Sequence, residues 1–293
     1  MAKETNAVVV KRRSQWGMVW LRFKRNKMAM FGLGVMIFLI IVAIFAPIIA
    51  PFHYDYQQIR LDAILQSPNS THWFGTDSLG RDIFSRIVYA SRTSLQIGII
   101  SIAIATLIGG FLGALAGYYG GLFDGAVMRA MDIMLAIPGI LLAIAIVATL
   151  GPNLTNLMIA MSIGMIPVEA RVIRSSVMMV RDQEFVEAAR AVGTSDARII
   201  FKHILPNAMA QIIVQATLGV AGSILGAAGL SFIGLGVQPP SPEWGGMLSD
   251  GRAHMRDHLH ITIFPGLAIM ITIFSLNLLG DGLRDALDPK QKN

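Results

Sequence analysis

The chain has 293 residues, of which 54% are hydrophobic and 14% charged, with a mean hydropathy of +0.60 and a formal net charge of +6. Soluble globular domains carry about 25% charged residues, so this chain lacks the polar groups to face water all round, and a cytosolic enzyme is excluded. What remains is an integral membrane protein solvated largely by lipid, and the absence of cysteine removes disulfides, thiolate metal sites and cysteine nucleophiles.

Charges punctuate the sequence, and the uncharged stretches between them read as spans, since a helix needs about 20 apolar residues to cross the hydrocarbon core. Residues 1–27 form a basic tail holding Lys3, Lys11, Arg12, Arg13, Arg22, Lys24, Arg25 and Lys27. Beside a span, that tail reads as an orienting flank rather than a nucleic-acid arm, and Trp16 and Trp20 stand where interfacial aromatics belong. Residues 28–50 are too long for a signal-peptide core and lack a small-residue cleavage site, so they predict a retained first helix. An extracytoplasmic loop follows over 51–93. The second span is expected within 95–119, where Gly109, Gly113 and Gly117 recur every four residues. That stripe admits close helix packing, within the chain or against another subunit. Residues 133–168 are uncharged but too long for one span, and Gly151-Pro152-Asn153 divides them into a third and a fourth helix. The fifth lies within 203–242, with Gly222 and Gly226 repeating the glycine spacing, and the sixth within 261–280.

The runs are continuous and apolar all round, unlike the ~10-residue alternating segments of a membrane barrel. The expected fold class is therefore all-α, with six transmembrane helices: a first helix, then a core of five over 94–285, a cytoplasmic loop at 175–207 and a short tail over 286–293. Six spans put both termini on one side. Eighteen of the 24 Lys and Arg residues fall there, which predicts cytoplasmic termini.

The loop between the fourth and fifth spans holds the most chemistry. Glu184 to Val192 predicts a short helix with Gly193 as a left-handed cap. Thr194 or Ser195 is placed to cap a second helix bearing Arg198 and Lys202, which Pro206 ends or reorients. Two short amphipathic helices with a glycine elbow would form a knob in the cytoplasm, facing either a partner or only water. Elsewhere, Glu169, Arg171 and Arg174, with Arg129 and Asp132, read as structural pairs near the inner boundary rather than a transport path. His254, His258 and His260 with Asp257 sit in an exposed loop without an identifiable supporting shell, so no metal site is assigned. Asn69-Ser70-Thr71 matches a glycosylation acceptor and reads as incidental. No Gly-x-x-x-x-Gly-Lys-Ser/Thr phosphate cradle and no supported Ser/His/Asp arrangement occurs, so the chain is read as neither an ATPase nor a covalent catalyst.

Glu187-Ala188-Ala189, followed by Gly193 and at the far end by Leu205-Pro206, resembles the EAA signature of prokaryotic ABC importer permeases. His203 departs from it, standing where an aliphatic residue is usual. The segments His72 to Arg86, Met128 to Met134, Gln238 to Gly245 and Asn277 to Pro289 are similar to the "C" subunits of dipeptide/oligopeptide permeases, an architecture shared with glutathione and nickel permeases. The resemblance implies a type I ABC importer transmembrane domain whose 175–207 loop docks in a cleft of an ATPase. It makes Glu184, Glu187, Ala188, Ala189, Gly193, Asp196, Leu205 and Pro206 the ATPase-coupling residues. Glu187 would be a polar anchor, Ala188 and Ala189 would permit close approach, and Gly193 would supply the elbow. The implied partners are a sister permease in a heterodimer, two ABC ATPase subunits that bind ATP and Mg, an extracytoplasmic substrate-binding protein and a peptide substrate, in a bacterial inner membrane. No cofactor or metal would belong to this chain. Import of glutathione or nickel is the alternative within the same architecture. An ion-coupled carrier would call for mid-span charges or an inverted repeat, and neither is evident.

Overall fold

A computed structural model describes residues 15–52 and 56–287. Lys3, Lys11, Arg12 and Arg13 of the basic tail, and residues 288–293, lie outside the described residues. The described chain is helical, with no strand and a lone antiparallel bridge between Thr76 and Asp82.

The amphipathic α1 (Gln15–Arg25) leads to Asn26, whose side chain accepts from the Met28 and Ala29 amides at 3.1 Å and so starts α2 (Lys27–Ile44), the first span. A short α3 (Ala46–Ile49) follows its C-terminal end. The next helix, α4 (Ile83–Tyr119), is 37 residues long. At 1.5 Å per residue it reaches about 55 Å, well beyond a hydrocarbon core of ~30 Å. It therefore begins earlier than the uncharged run suggests, capped by Asp82, which accepts from the Ser85 amide at 2.8 Å.

The third span differs from the sequence expectation. It begins at Gly121 rather than Ile133 and consists of α5 (Gly121–Leu135) and α6 (Gly139–Leu150), bent by 81°. Pro138 accounts for the bend, because it lacks an amide donor and pushes Ile137 out of helical geometry. Gly120 and Gly121, at φ +65° and +57°, make the corner between α4 and α5. Among the described residues, five helices are long and apolar enough to cross a membrane, or six if this bent pair counts as one broken span. The remaining elements are α7 (Leu154–Arg181), α8 (Glu184–Ala191), α9 (Asp196–Arg198), α10 (Leu205–Phe232), α11 (Trp244–Gly251) and α12 (His260–Leu287).

The centre of the molecule is the α4–α7 pair. A Cβ on Gly109 would stand 2.5 Å from the Ile166 carbonyl, one on Gly117 2.8 Å from that of Arg174, and one on Gly113 would meet the Ala170 carbonyl. The glycine stripe is thus spent on backbone contact inside this chain. Gly222 and Gly226 of α10 likewise face Met165 and Met161 of α7. Further out, α2 packs on α12, joined by Met36, Leu276 and the α10 residues Ala221 and Ile224.

At the N-terminal end of α4, two loops between spans close on each other. Asp77 accepts from Arg81 Nε at 2.7 Å and faces Arg86 Nε at 3.5 Å, Arg81 reaches Asp250 of α11 at 3.4 Å, and His72 Nδ1 lies 2.9 Å from Asp82. All but Asp250 are buried, and such charges persist in an interior only when paired. Burial pushes the Asp250 carboxyl up, while Arg81 and Arg86 draw it down. Glu243 starts α11 by accepting from the Gly245 and Gly246 amides at 2.9 and 2.8 Å, and Ser94 of α4 donates to it at 3.2 Å.

Candidate coupling site

The knob between α7 and α10 is built from one short helix and the head of a long one. Gln183 opens α8, and Gly193 ends it at φ +76°, with its amide on the Arg190 carbonyl at 2.9 Å and Thr194 N on that of Ala189 at 3.1 Å. Ser195 occupies the N-cap position of α9, but neither it nor Thr194 caps by a side-chain hydrogen bond. The second helix is not separate either. Asp196 to Phe232 is one apolar rod, in which a wide turn over Ile199–Ile204 joins α9 to α10. In that turn Leu205 N–H donates to Ile200 O, and the wider register absorbs Pro206, which has no N–H and whose ring would crowd a regular turn. Pro206 therefore neither ends nor reorients the helix.

The periodicity of α8 divides its residues between two faces. Val186 and Ala189, three apart, point inward and join Tyr118, Ile173, Val177, Ile199, Ile200 and Ile204 in one cluster, with Leu205 packed against it. Ala189 is only 8% exposed, so it packs the knob to its own chain and is not available for close approach by a partner. Ala188 is exposed, as are Glu184, Glu187, Gly193, Asp196 and Pro206. Phe185 and Val192 flank Ala188 on the open side, Val192 at 81% exposure. With Ala188 they stand at i, i+3, i+7 spacing, a pattern legible in the sequence.

Three contacts join the knob region to the C-terminal end of α4. Tyr118 OH donates to Asp196 Oδ1 at 2.6 Å, the Arg190 guanidinium lies 5.2 Å over the Tyr118 ring, and Arg181 Nη1 donates to the Gly117 carbonyl at 2.8 Å. Tyr118→Phe is expected to cost about 1 kcal/mol, roughly a fivefold loss of docked loop, read as faster amide exchange over residues 184–198.

Two ion pairs fasten α5 to α7: Arg171 to Asp132 at 2.5 Å, and Arg174 to both oxygens of Asp124 at 2.5 Å. Glu169 is different. It is fully buried where α7 meets α4, accepts from Thr106 at 3.1 Å, and forms no ion pair among the described residues. Among the described residues no group of His, Asp and Glu is placed to hold a metal ion, His254, His258 and His260 included.

Residues 109–293 match the family described as "Binding-protein-dependent transport system inner membrane component", and residues 14–68 match "N-terminal TM domain of oligopeptide transport permease C". The dipeptide transport system permease protein DppC of Alkalihalophilus pseudofirmus is 50% identical over 280 residues, covering 96% of this chain and 91% of its own length. The glutathione transport system permease protein GsiD of Escherichia coli is 49% identical over 284 residues, covering 96% and 92%. Among solved structures, the MetNI methionine ABC transporter in an inward-facing conformation superposes with a TM-score of 0.58 at 18% identity, over 69% of this chain and 96% of that one, and bears on the fold alone. By these matches along nearly its whole length, the chain belongs to the binding-protein-dependent transport system inner membrane components, the permeases of ABC importers.

Proposed function

We propose that this chain is one half of the pore of an ATP-driven importer that moves di- and oligopeptides into a bacterial cell, with both termini and the α8 knob in the cytoplasm. The observation that carries the reading is the division of α8: an exposed face of Phe185, Ala188, Val192 and Glu187 backed by a face packed into the spans. A lever needs both, one side for the motor and one rigidly joined to what moves. Two ATPase subunits supply the motor, with ATP and Mg bound there and no cofactor in this chain. Their closure on nucleotide displaces α8, and the displacement passes through Val186, Tyr118 and Arg181 to α4 and α7, alternating access to the pore.

The sister permease completes the pore against α5 and α6. In support, Leu122, Gly125, Ala126, Arg129, Ala130 and Ile133 form one exposed stripe on α5, and a Cβ on Gly125 or Gly139 would meet nothing within 4 Å. The outer cap formed by 56–82 and α11 is the side on which a substrate-binding protein delivers peptide. Peptide is favoured as substrate by the dipeptide permease at 50% identity and the oligopeptide permease N-terminal domain. Glutathione, itself a modified tripeptide, is the second reading, favoured by the relative at 49%.

Uptake of a labelled dipeptide by a strain lacking this chain tests the substrate. Restoring the chain is expected to restore uptake, competed by unlabelled di- and tripeptides and not by nickel. Dipeptide uptake that is indifferent to the chain, with glutathione uptake lost instead, overturns the peptide assignment and leaves the architecture.

A further inference from the structure

We propose that α1 is a docking site for anionic phospholipid of the cytoplasmic leaflet, with Lys24, Arg25 and Lys27 holding the headgroup phosphate and Met18, Trp20 and Leu21 entering the acyl boundary. The proposal rests on the inward orientation of the N-terminus given above. The inner face of α1 is already occupied. Phe23 is buried with Ala29 and Ala286, and Val19, Leu279 and Leu283 pack around them. Gly282 leaves space chiefly for Ala29, whose Cβ a side chain there would strike, and a Cβ at Gly282 would also come within 3.3 Å of the Phe23 ring. These contacts fasten α1 to the inner ends of α2 and α12. The chain leaves helical geometry at Asn26, at φ −82° and ψ 102°, so α1 is a rod of its own rather than an extension of the span.

The outer face carries two chemistries together. Met18, Trp20 and Leu21 each remain 43–45% exposed. Lys24, Arg25 and Lys27 are exposed beside them, and the Lys24 ammonium lies 5.1 Å over the Trp20 ring. No acidic residue occurs in α1, and the nearby Asp285 is engaged by Asn26 Nδ2 at 3.4 Å. Water alone does not favour an exposed indole, thioether and leucine on one short helix. The headgroup region of an anionic leaflet takes both sets: apolar side chains and the indole at the acyl boundary, cations at the phosphates. The site lies at the mouth of the first span, so the same surface passes through it.

The test uses the importer assembled with all its subunits, in nanodiscs of mixed phosphatidylcholine and phosphatidylglycerol, with retained lipid identified by native mass spectrometry. The wild-type complex is expected to retain phosphatidylglycerol preferentially, and the combined K24Q, R25Q and K27Q variant to lose at least about tenfold of that preference while hydrolysing ATP at the wild-type rate. Equal retention by the two complexes overturns the proposal. Gly17→Cys separates it from the orientation it rests on, since the chain has no cysteine and a side chain at Gly17 meets nothing within 4 Å. Labelling by an impermeant maleimide only from the inner side, with no crosslink to a partner subunit when the introduced cysteine instead carries a photoreactive benzophenone maleimide, supports the lipid site. A crosslink to a partner in its place overturns the lipid site alone, and labelling only from outside overturns the orientation as well.

Discussion

Gly193→Pro is expected to abolish ATP-coupled uptake while the chain still inserts and assembles. Gly193 holds φ +76° and donates its amide to Arg190 O at 2.9 Å. Proline locks φ near −65° and has no amide, so it removes both the turn and the bond. On the proposed coupling, the exposed face of α8 would then leave its angle to α4 and α7, and motor closure would no longer reach the spans. Gly193→Ala gives the graded control. Its Cβ meets nothing within 4 Å, so the left-handed conformation is the only penalty, about 1–2 kcal/mol, and part of the uptake survives. Both variants are measured in proteoliposomes for peptide accumulated per ATP hydrolysed, with hydrolysis stimulated by the loaded binding protein. Wild-type coupling in the proline variant would remove the elbow from the mechanism.

Gly113→Leu acts one level lower, on the fold. A Cβ at Gly113 already meets the Ala170 backbone, and backbone cannot swing aside as a flexible side chain can. A leucine forces α4 and α7 apart, at a cost of about 3 kcal/mol or more for overpacking. It also opens the buried surroundings of Glu169 and its Thr106 hydrogen bond. The expected result is loss of folded chain from the membrane, seen as protease sensitivity and failure to co-purify with partners. Gly164→Leu, also within a span but with nothing within 4 Å of its Cβ, is expected to leave the chain folded. Equal tolerance at both positions would contradict the α4–α7 contact.

What the sequence revealed of this fold follows from which interactions are local. Long uncharged runs announced α2, α7, α10 and α12, because apolarity is a property of neighbours in sequence. The start of α5 was hidden by Asp124, Arg129 and Asp132. Charges usually end a span, but Asp124 and Asp132 are offset by Arg174 and Arg171, 50 and 39 positions away. The exposed face of α8 was legible in Glu187 and Ala188, and the turn that ends it in Gly193. The inward turn of Ala189 and the part played by Tyr118 depend on packing against α4, 78 positions from Asp196, and no local pattern carries that. Pro206 misled for a related reason: a proline normally breaks a regular helix, and the wide turn at Ile199–Ile204 that accommodates it is visible only in the backbone.

The most direct test of a lever driven from outside this chain is labelled dipeptide accumulation in proteoliposomes with ATP inside, comparing the complete importer with this chain reconstituted alone. The account predicts ATP-dependent accumulation only when the sister permease, both ATPases and the loaded binding protein are present, and none from the chain alone under any ion gradient. Gradient-driven accumulation by the isolated chain would contradict it.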